Sequence, residues 1–185
     1  GVGEITEMLQ RMRDLAVQAA NETNTKADRE ALNQEFGELS SEITRVANAT
    51  QFNTKNLLDG TLGSQVAIQV GPNTSAAVDQ IELNLGQDMR AGGIGTSGTE
   101  VSGLAIGSAA SAGDITDAID SIDDAISQAD SFRSELGATI NRLESSISNL
   151  ENASQNLTES RSRILDADIA KESAEMTQNN VRQQA

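Results

Sequence analysis

The sequence contains no cysteine, histidine, tryptophan or tyrosine, and its aromatic residues are limited to Phe36, Phe52 and Phe132. These absences exclude disulfides, the Cys and His ligand sets of zinc sites, and Ser-His-Asp or Cys-His nucleophile systems. We therefore expect no enzyme, no metal and no cofactor. With so few rings, the core must be aliphatic and narrow.

Positive charge is also scarce, because 13 Lys and Arg residues stand against 28 Asp and Glu residues, a net charge of -15. Phosphate binding needs clustered cations, so a nucleic-acid partner is not expected. Anionic membrane surfaces would repel the chain. The sequence also has no run of about 18 apolar residues, so membrane insertion is not expected.

Apolar residues do recur at alternating spacings of three and four, which indicates amphipathic helices. The first helix is predicted over 3–21 and the second over 27–48. Between them, Thr25 and Asp28 have the spacing of a capping box, with Asp in place of the usual Glu.

A third and much longer helix is predicted over 115–163, with Asp114 as its N-cap. At a rise of about 1.5 Å per residue it is roughly 75 Å long, whereas the first two reach only about 30–35 Å each. About half of its apolar stripe must therefore face something else: the predicted hairpin, residues outside this chain, or another subunit. Residues 164–185 have only a weak helical pattern.

Between the second and third helices the apolar period changes to two, which predicts a β-hairpin. Its apolar positions are Val66, Ile68 and Val70 on one strand and Ile81, Leu83 and Leu85 on the other. Residues 86–113 then hold eight of the 15 glycines with several Ser and Ala. We expect this stretch to be a flexible surface loop that buries little. The expected fold is mainly α: an elongated antiparallel helical bundle of two shorter N-terminal helices and one long C-terminal helix, with a small β-hairpin lobe.

Several longer motifs lie in order along the chain. They are LQRMRDLAVQ at 9–18, TQFNTKNLLDG at 50–60, LGA at 136–138, NRL at 141–143, NLT at 156–158 and SRSRI at 160–164. The first two closely resemble the N-terminal conserved region of bacterial flagellins, and the others resemble the C-terminal one. The resemblance extends over most of 1–85 and 114–185.

The resemblance implies one rod domain made of 1–85 and 114–165, separated by 86–113 as a variable loop where the family carries its outer domains. Residues 166–185 would begin the terminal segment that forms the filament core, and the N-terminal counterpart would be absent. We therefore expect this fragment to be monomeric.

By resemblance, the function is that of a structural subunit of the bacterial flagellar filament. It would be secreted to the extracellular flagellum and polymerise with other flagellin subunits through lateral and axial helix packing for motility. The alternatives are a hook-filament junction protein related to flagellin, or a coiled-coil adaptor outside the flagellum.

Some flagellins are also ligands of a flagellin-sensing Toll-like innate-immune receptor. By match to the family motif, the receptor-binding residues would be Gln10, Arg11, Leu15 and Gln18 on the first helix and Glu35 on the second. At about 100° per residue, Leu15 lies at the edge of the apolar stripe beside Arg11 and Gln18, where it would serve as an exposed anchor. The alternative is that Leu15 belongs to the core and Arg11 is a solvated ion-pair partner.

Overall fold

The computed structural model describes residues 1–63, 66–73, 75 and 79–184, and the mainly α prediction is confirmed in them. The helices are α1 (Val2–Ala19), α2 (Lys26–Ala49) and α3 (Ala112–Gln184). Short antiparallel pairs join β1 (Gln51–Phe52) to β2 (Lys55–Asn56), β3 (Val66–Gln69) to β4 (Gln80–Leu83), and β5 (Gly95–Thr96) to β6 (Thr99–Glu100). A 3₁₀ turn, Val101–Gly103, follows β6.

The capping box predicted at the start of α2 is confirmed. The Thr25 hydroxyl accepts a hydrogen bond from the Asp28 amide at 3.2 Å, and the Asp28 carboxylate accepts one from the Thr25 amide at 3.0 Å. Each interaction satisfies a backbone N–H that has no partner within the helix.

The N-cap predicted for α3 is wrong by three residues. Ser111 is the cap: its hydroxyl accepts from the Asp114 amide, and the Asp114 carboxylate accepts from the Ser111 amide at 2.7 Å. Asp114 is the acidic partner of this second capping box, inside the first turn. At its other end α3 runs to Gln184 rather than 163, so its 73 residues span about 110 Å.

Helix α1 runs antiparallel to its neighbours and packs against both α2 and α3. Gly1 lies beside Thr50 at the end of α2, whereas Arg13 pairs with Asp123 near the start of α3. The buried core is aliphatic apart from Phe36 and Phe132. Its main members are Ile5, Leu9, Met12, Leu15, Ala16, Phe36, Ile43, Ala47, Ile115, Ala118, Ile122, Ala125, Ala129 and Phe132.

Residues 86–111, here called the strap, fill the space between α2 and α3, which have few direct contacts among the described residues. The prediction of a flexible loop that buries little is wrong. The strap side chains fully removed from solvent are Met89, Ala91, Ile94, Val101 and Ile106. These apolar residues are separated by glycine and small polar residues, so they leave no periodic signal in the sequence.

The predicted β-hairpin is confirmed in its described residues, with Val66 opposite Leu83 and Gln69 opposite Gln80. Val70 and Leu85 lie just outside the strands. The hairpin rests on α3 through β4, whose Ile81 is buried. Within the described residues, no helix is long and apolar enough to cross a membrane.

Candidate partner-binding surfaces

The first candidate surface lies across the seam between α1 and α2. The Arg11 guanidinium donates two hydrogen bonds to one Glu35 carboxylate oxygen, from Nε at 2.8 Å and from Nη2 at 2.6 Å. The side chains of Arg11 and Glu35 are 53% and 44% exposed. An exposed pair of this kind contributes only about 0–1 kcal/mol to stability, so both groups are available to a partner.

Gln10 and Gln18 lie on the solvent side of α1, near Arg11. Arg11, Glu35 and Gln18, which lies two turns from Arg11 on the same side of α1, share one surface, here called the α1–α2 face. Gln10 is exposed at the edge of this face, about 100° around α1 from Arg11. No charged group from α3 or the strap bonds to Arg11 or Glu35 in the described residues.

The fifth residue, Leu15, is not an exposed anchor, because only 1% of it is accessible. The rim position expected from the helical stripe is wrong. Helix α2 packs along the flank of α1 that carries Arg11 and Leu15, as the Arg11–Glu35 pair one turn away shows. Leu15 is therefore a core residue that lies beneath the α1–α2 face.

Two features of α1 were missed from the sequence. Arg13 pairs with Asp123 of α3 at 2.6 Å, and the hydrogen bond and charge of that carboxylate raise the pKa of the guanidinium. Nothing in the sequence distinguishes the partner of Arg13 from that of Arg11. The second feature is the exposure of Val17, an apolar residue that is 48% accessible to solvent. Its position outside the apolar stripe is the one signal in the sequence that could have predicted this exposure.

The second candidate surface, the α3 stripe, is the uncovered continuation of the face that α1 buries. Up to Leu136, apolar residues of α3 pack into the core. Beyond it the 3–4 spacing continues to Leu150, and the large apolar side chains are exposed to solvent except for that of Leu143, which is half-buried. The exposed members are Ile140, Ile147, Leu150, Leu157, Ile164, Leu165, Ile169 and Met176.

The α3 stripe forms an open surface, and its apolar pattern becomes sparser along the helix. Leu150, Leu157 and Ile164 continue at intervals of seven, whereas Ser154 and Arg161 occupy the alternate positions. The part of the stripe up to Leu150 has the 3–4 spacing that is typical of helices that pack side by side. Within the described residues, no group of three or more acidic side chains is placed to hold a metal ion.

Comparisons with known proteins agree with this architecture. Residues 1–62 match the family model described as the bacterial flagellin N-terminal helical region, and residues 119–185 match the C-terminal one. A flagellin of Halalkalibacterium halodurans is 46% identical over 188 residues, covering 98% of this chain and 63% of the relative. A flagellin of Clostridium tyrobutyricum is 47% identical over 77 residues, which are 42% of this chain and 20% of the relative.

Two solved structures are also similar. Bacillus cereus flagellin is 31% identical with a TM-score of 0.62, covering 80% of this chain and 78% of that one. FliC from Burkholderia pseudomallei has a TM-score of 0.67 at 22% identity, covering 77% of this chain and 95% of that one, and supports the fold alone. The chain thus spans less than two thirds of the two sequence relatives but most of the two solved chains.

Proposed function

Because the chain belongs to the bacterial flagellin family, we propose that it serves as a structural subunit of the extracellular flagellar filament and packs against other flagellin subunits. The observation that carries this proposal is the α3 stripe, whose large apolar side chains from Ile140 onward are exposed in the chain itself, apart from the half-buried Leu143. Burial of such a surface against another helix is favourable in water, and exposed apolar patches of this size mark interaction sites.

Filament growth requires contacts between different surfaces of successive copies, so that the assembly does not close on itself. An elongated subunit with an apolar stripe running along about half of a 73-residue helix suits side-by-side packing of this kind. The family assignment disfavours a coiled-coil adaptor outside the flagellum. The relatives named above are described as flagellins, which favours a filament subunit over a junction protein.

A segment exchange tests the proposal. This chain would replace the matching region of the Halalkalibacterium halodurans flagellin in a strain that lacks its own flagellin gene. We expect the exchanged protein to form filaments and to support swimming. Ile147→Asp with Leu150→Asp should abolish both, because the new charges would lie in the contact between the α3 stripe and a neighbouring subunit. The matched control is Ser148→Asp with Asn149→Asp. Normal filaments from the stripe variant would overturn the proposal.

We also propose that the α1–α2 face binds the flagellin-sensing Toll-like receptor. The support is the match of residues 9–18 to the family motif, together with the exposure of Gln10, Arg11 and Gln18 and the half-exposure of Glu35. Arg is a frequent interface anchor, and here it is already oriented by its carboxylate partner. In this chain Leu15 would support the face from beneath.

A reporter-cell assay with the soluble chain tests this second role. Arg11→Ala should lower potency at least about tenfold, the range expected when an interface anchor is truncated. Arg45→Ala is the matched control, since it removes an exposed pair with Glu42 that lies within α2 alone. Equal potency of the Arg11 variant and the parent chain would refute the assignment.

A further inference from the structure

The strap is attached to the helices by its buried apolar residues, such as Met89 and Ile94, and also by a series of polar contacts at its two ends. Helix α2 supplies four of these contacts from side chains along one face. They are Arg29 Nη2 to the Ala110 carbonyl at 2.7 Å, the Ser108 amide to Glu30 at 3.0 Å, the Ile106 amide to Asn33 Oδ1 at 2.9 Å, and the Ala91 amide to Thr44 Oγ1 at 3.3 Å. The Ser108 hydroxyl also donates to Glu30.

At the other end of the strap, the attachment depends on Asp59. One carboxylate oxygen of Asp59 accepts from the Thr61 amide at 3.1 Å and the Thr61 hydroxyl at 2.6 Å, and the other accepts from Asn56 Nδ2 at 2.9 Å. Asp59 is only 8% exposed. These bonds fix the turn at residues 56–61, and backbone carbonyls of this turn accept hydrogen bonds from the strap.

Two strap residues bind that turn through its backbone. The Met89 amide donates to the Leu58 carbonyl at 2.8 Å, and Arg90 Nη2 donates to the Asp59 carbonyl at 3.2 Å. Arg90 is held in turn by Asp88, to which it donates at 2.6 Å. A carboxylate thus shapes the anchor at one end of the strap and accepts directly from the strap at the other.

We propose that acid loosens the strap from the helices while the packing of α1 against α2 and α3 stays in place. Protonating Glu30 weakens a direct acceptor for the strap at one end, and protonating Asp59 weakens the bonds that fix the turn whose backbone carbonyls bind the strap at the other. The helix interfaces are apolar at their centres, and their ion pairs, Arg11–Glu35 and Arg13–Asp123, are exposed and contribute little.

The pKa directions agree with this mechanism. The Thr61 hydroxyl, with Asn56 and the Thr61 amide, lowers the pKa of Asp59 from 3.8 to about 2. The Ser108 hydroxyl and amide lower the pKa of Glu30 from its ordinary value of 4.5. A carboxyl group whose pKa is lowered by folding stabilises the folded state above its ordinary pKa, and that stability is lost as the pH falls. The strap should therefore loosen as the pH falls from about 4.5 toward about 2.

Other charged groups border the strap. Near Asp59 they are Asp88 and Arg90, and near Glu30 the neighbour is Arg29. On α3, the Asp124 carboxylate accepts a hydrogen bond from the Thr96 hydroxyl at 2.7 Å. The net charge, -15 at pH 7, passes through zero near pH 4.2 and becomes positive below it, so charge repulsion along the helices is smallest near pH 4 and rises again toward pH 3.

Hydrogen exchange followed by mass spectrometry tests this, with labelling times scaled to the intrinsic exchange rate at pH 7, 5, 4 and 3. We expect exchange in 86–111 to rise roughly fivefold to tenfold by pH 3 from Asp59 alone, while 115–132 stays protected. Glu30→Gln with Asp59→Asn should remove most of this response, and Asp117→Asn with Glu144→Gln should retain it.

Two results would overturn the proposal. One is loss of protection in the strap and in 115–132 together at the same pH, which would mean global unfolding. The other is an unchanged acid response in the Glu30→Gln, Asp59→Asn variant. If Asp59→Asn fails to fold, Glu30→Gln alone must reduce the response of the amide of Ser108 relative to that of Ala91, or the proposal fails.

Discussion

Gly95 and Ser121 lie so close together that only glycine fits between the β5–β6 hairpin and α3. A Cβ atom at Gly95 would stand 2.6 Å from the Ser121 hydroxyl oxygen, and the φ angle of Gly95 is +112°. The Ser121 hydroxyl is fully buried, accepts from the Thr96 amide at 3.1 Å and donates to the Thr99 carbonyl. Gln128, two turns after Ser121 in α3, also binds the Gly95 backbone, because its side-chain amide donates to the Gly95 carbonyl at 2.9 Å.

Gly95→Ala should destabilise the protein by about 2 kcal/mol, because it adds a steric overlap to a backbone conformation that L-residues avoid. The measurement is urea unfolding followed by circular dichroism. Gly103→Ala is the control within the strap, since a Cβ there meets nothing within 4 Å and the φ is ordinary. If both variants unfold at the parent's midpoint, the hairpin is not docked on Ser121.

Leu15→Ala should cost about 2–4 kcal/mol of stability, because it leaves a cavity in a fully buried site. Val17→Ala, at a half-exposed site two residues along the same helix, should change stability by less than about 0.5 kcal/mol. Chemical denaturation of both variants distinguishes the core position found for Leu15 from the rim position expected from the helical stripe. A parent-like Leu15→Ala protein would favour the rim position.

Features that depend on local periodicity were predicted correctly from the sequence. Predictions were wrong where the burial of a residue depends on packing between segments that are distant in the chain. The bounds of α1 and α2 differ from the prediction by two residues or fewer, because apolar spacing and the Thr25–Asp28 box are local signals. The burial of the strap is not predictable in this way, because isolated apolar residues such as Ile94 become core only between α2 and α3.

The candidate site was predicted only in part for the same reason. The motif placed Arg11 and Glu35 together, and the structure joins them, but the burial of Leu15 depends on how α2 packs along α1. The uncovered half of α3 could be predicted because the apolar pattern gives the length of each helix, and α1 and α2 are too short to cover the whole of α3. Its extension to Gln184 was missed because the apolar pattern weakens after 163, although neither Gly nor Pro interrupts 164–184.

Ser111→Ala should reduce stability by about 1 kcal/mol through loss of the N-cap of α3. The hydroxyl that accepts from the Asp114 amide would be gone, and that amide would have no partner within the helix. Ser148→Ala, at an exposed position inside the same helix, should be neutral or slightly stabilising because Ala favours helix. If Ser111→Ala left the stability unchanged, Ser111 would not be the N-cap, and the original prediction of Asp114 would be favoured.

The part of α3 beyond about residue 150 should exchange its amide hydrogens much faster than 115–132 of the same helix. Helical stability in proteins comes mainly from tertiary packing of an apolar face, and side chains such as Leu157, 71% exposed, have no neighbour to pack against. Hydrogen exchange at neutral pH compares the two regions within one molecule. Leu157→Ala should leave the unfolding free energy nearly unchanged, whereas Ile122→Ala should lower it by about 2–4 kcal/mol. Equal protection along the whole helix would mean that the α3 stripe is already covered in solution, and sedimentation would then have to reveal an oligomer.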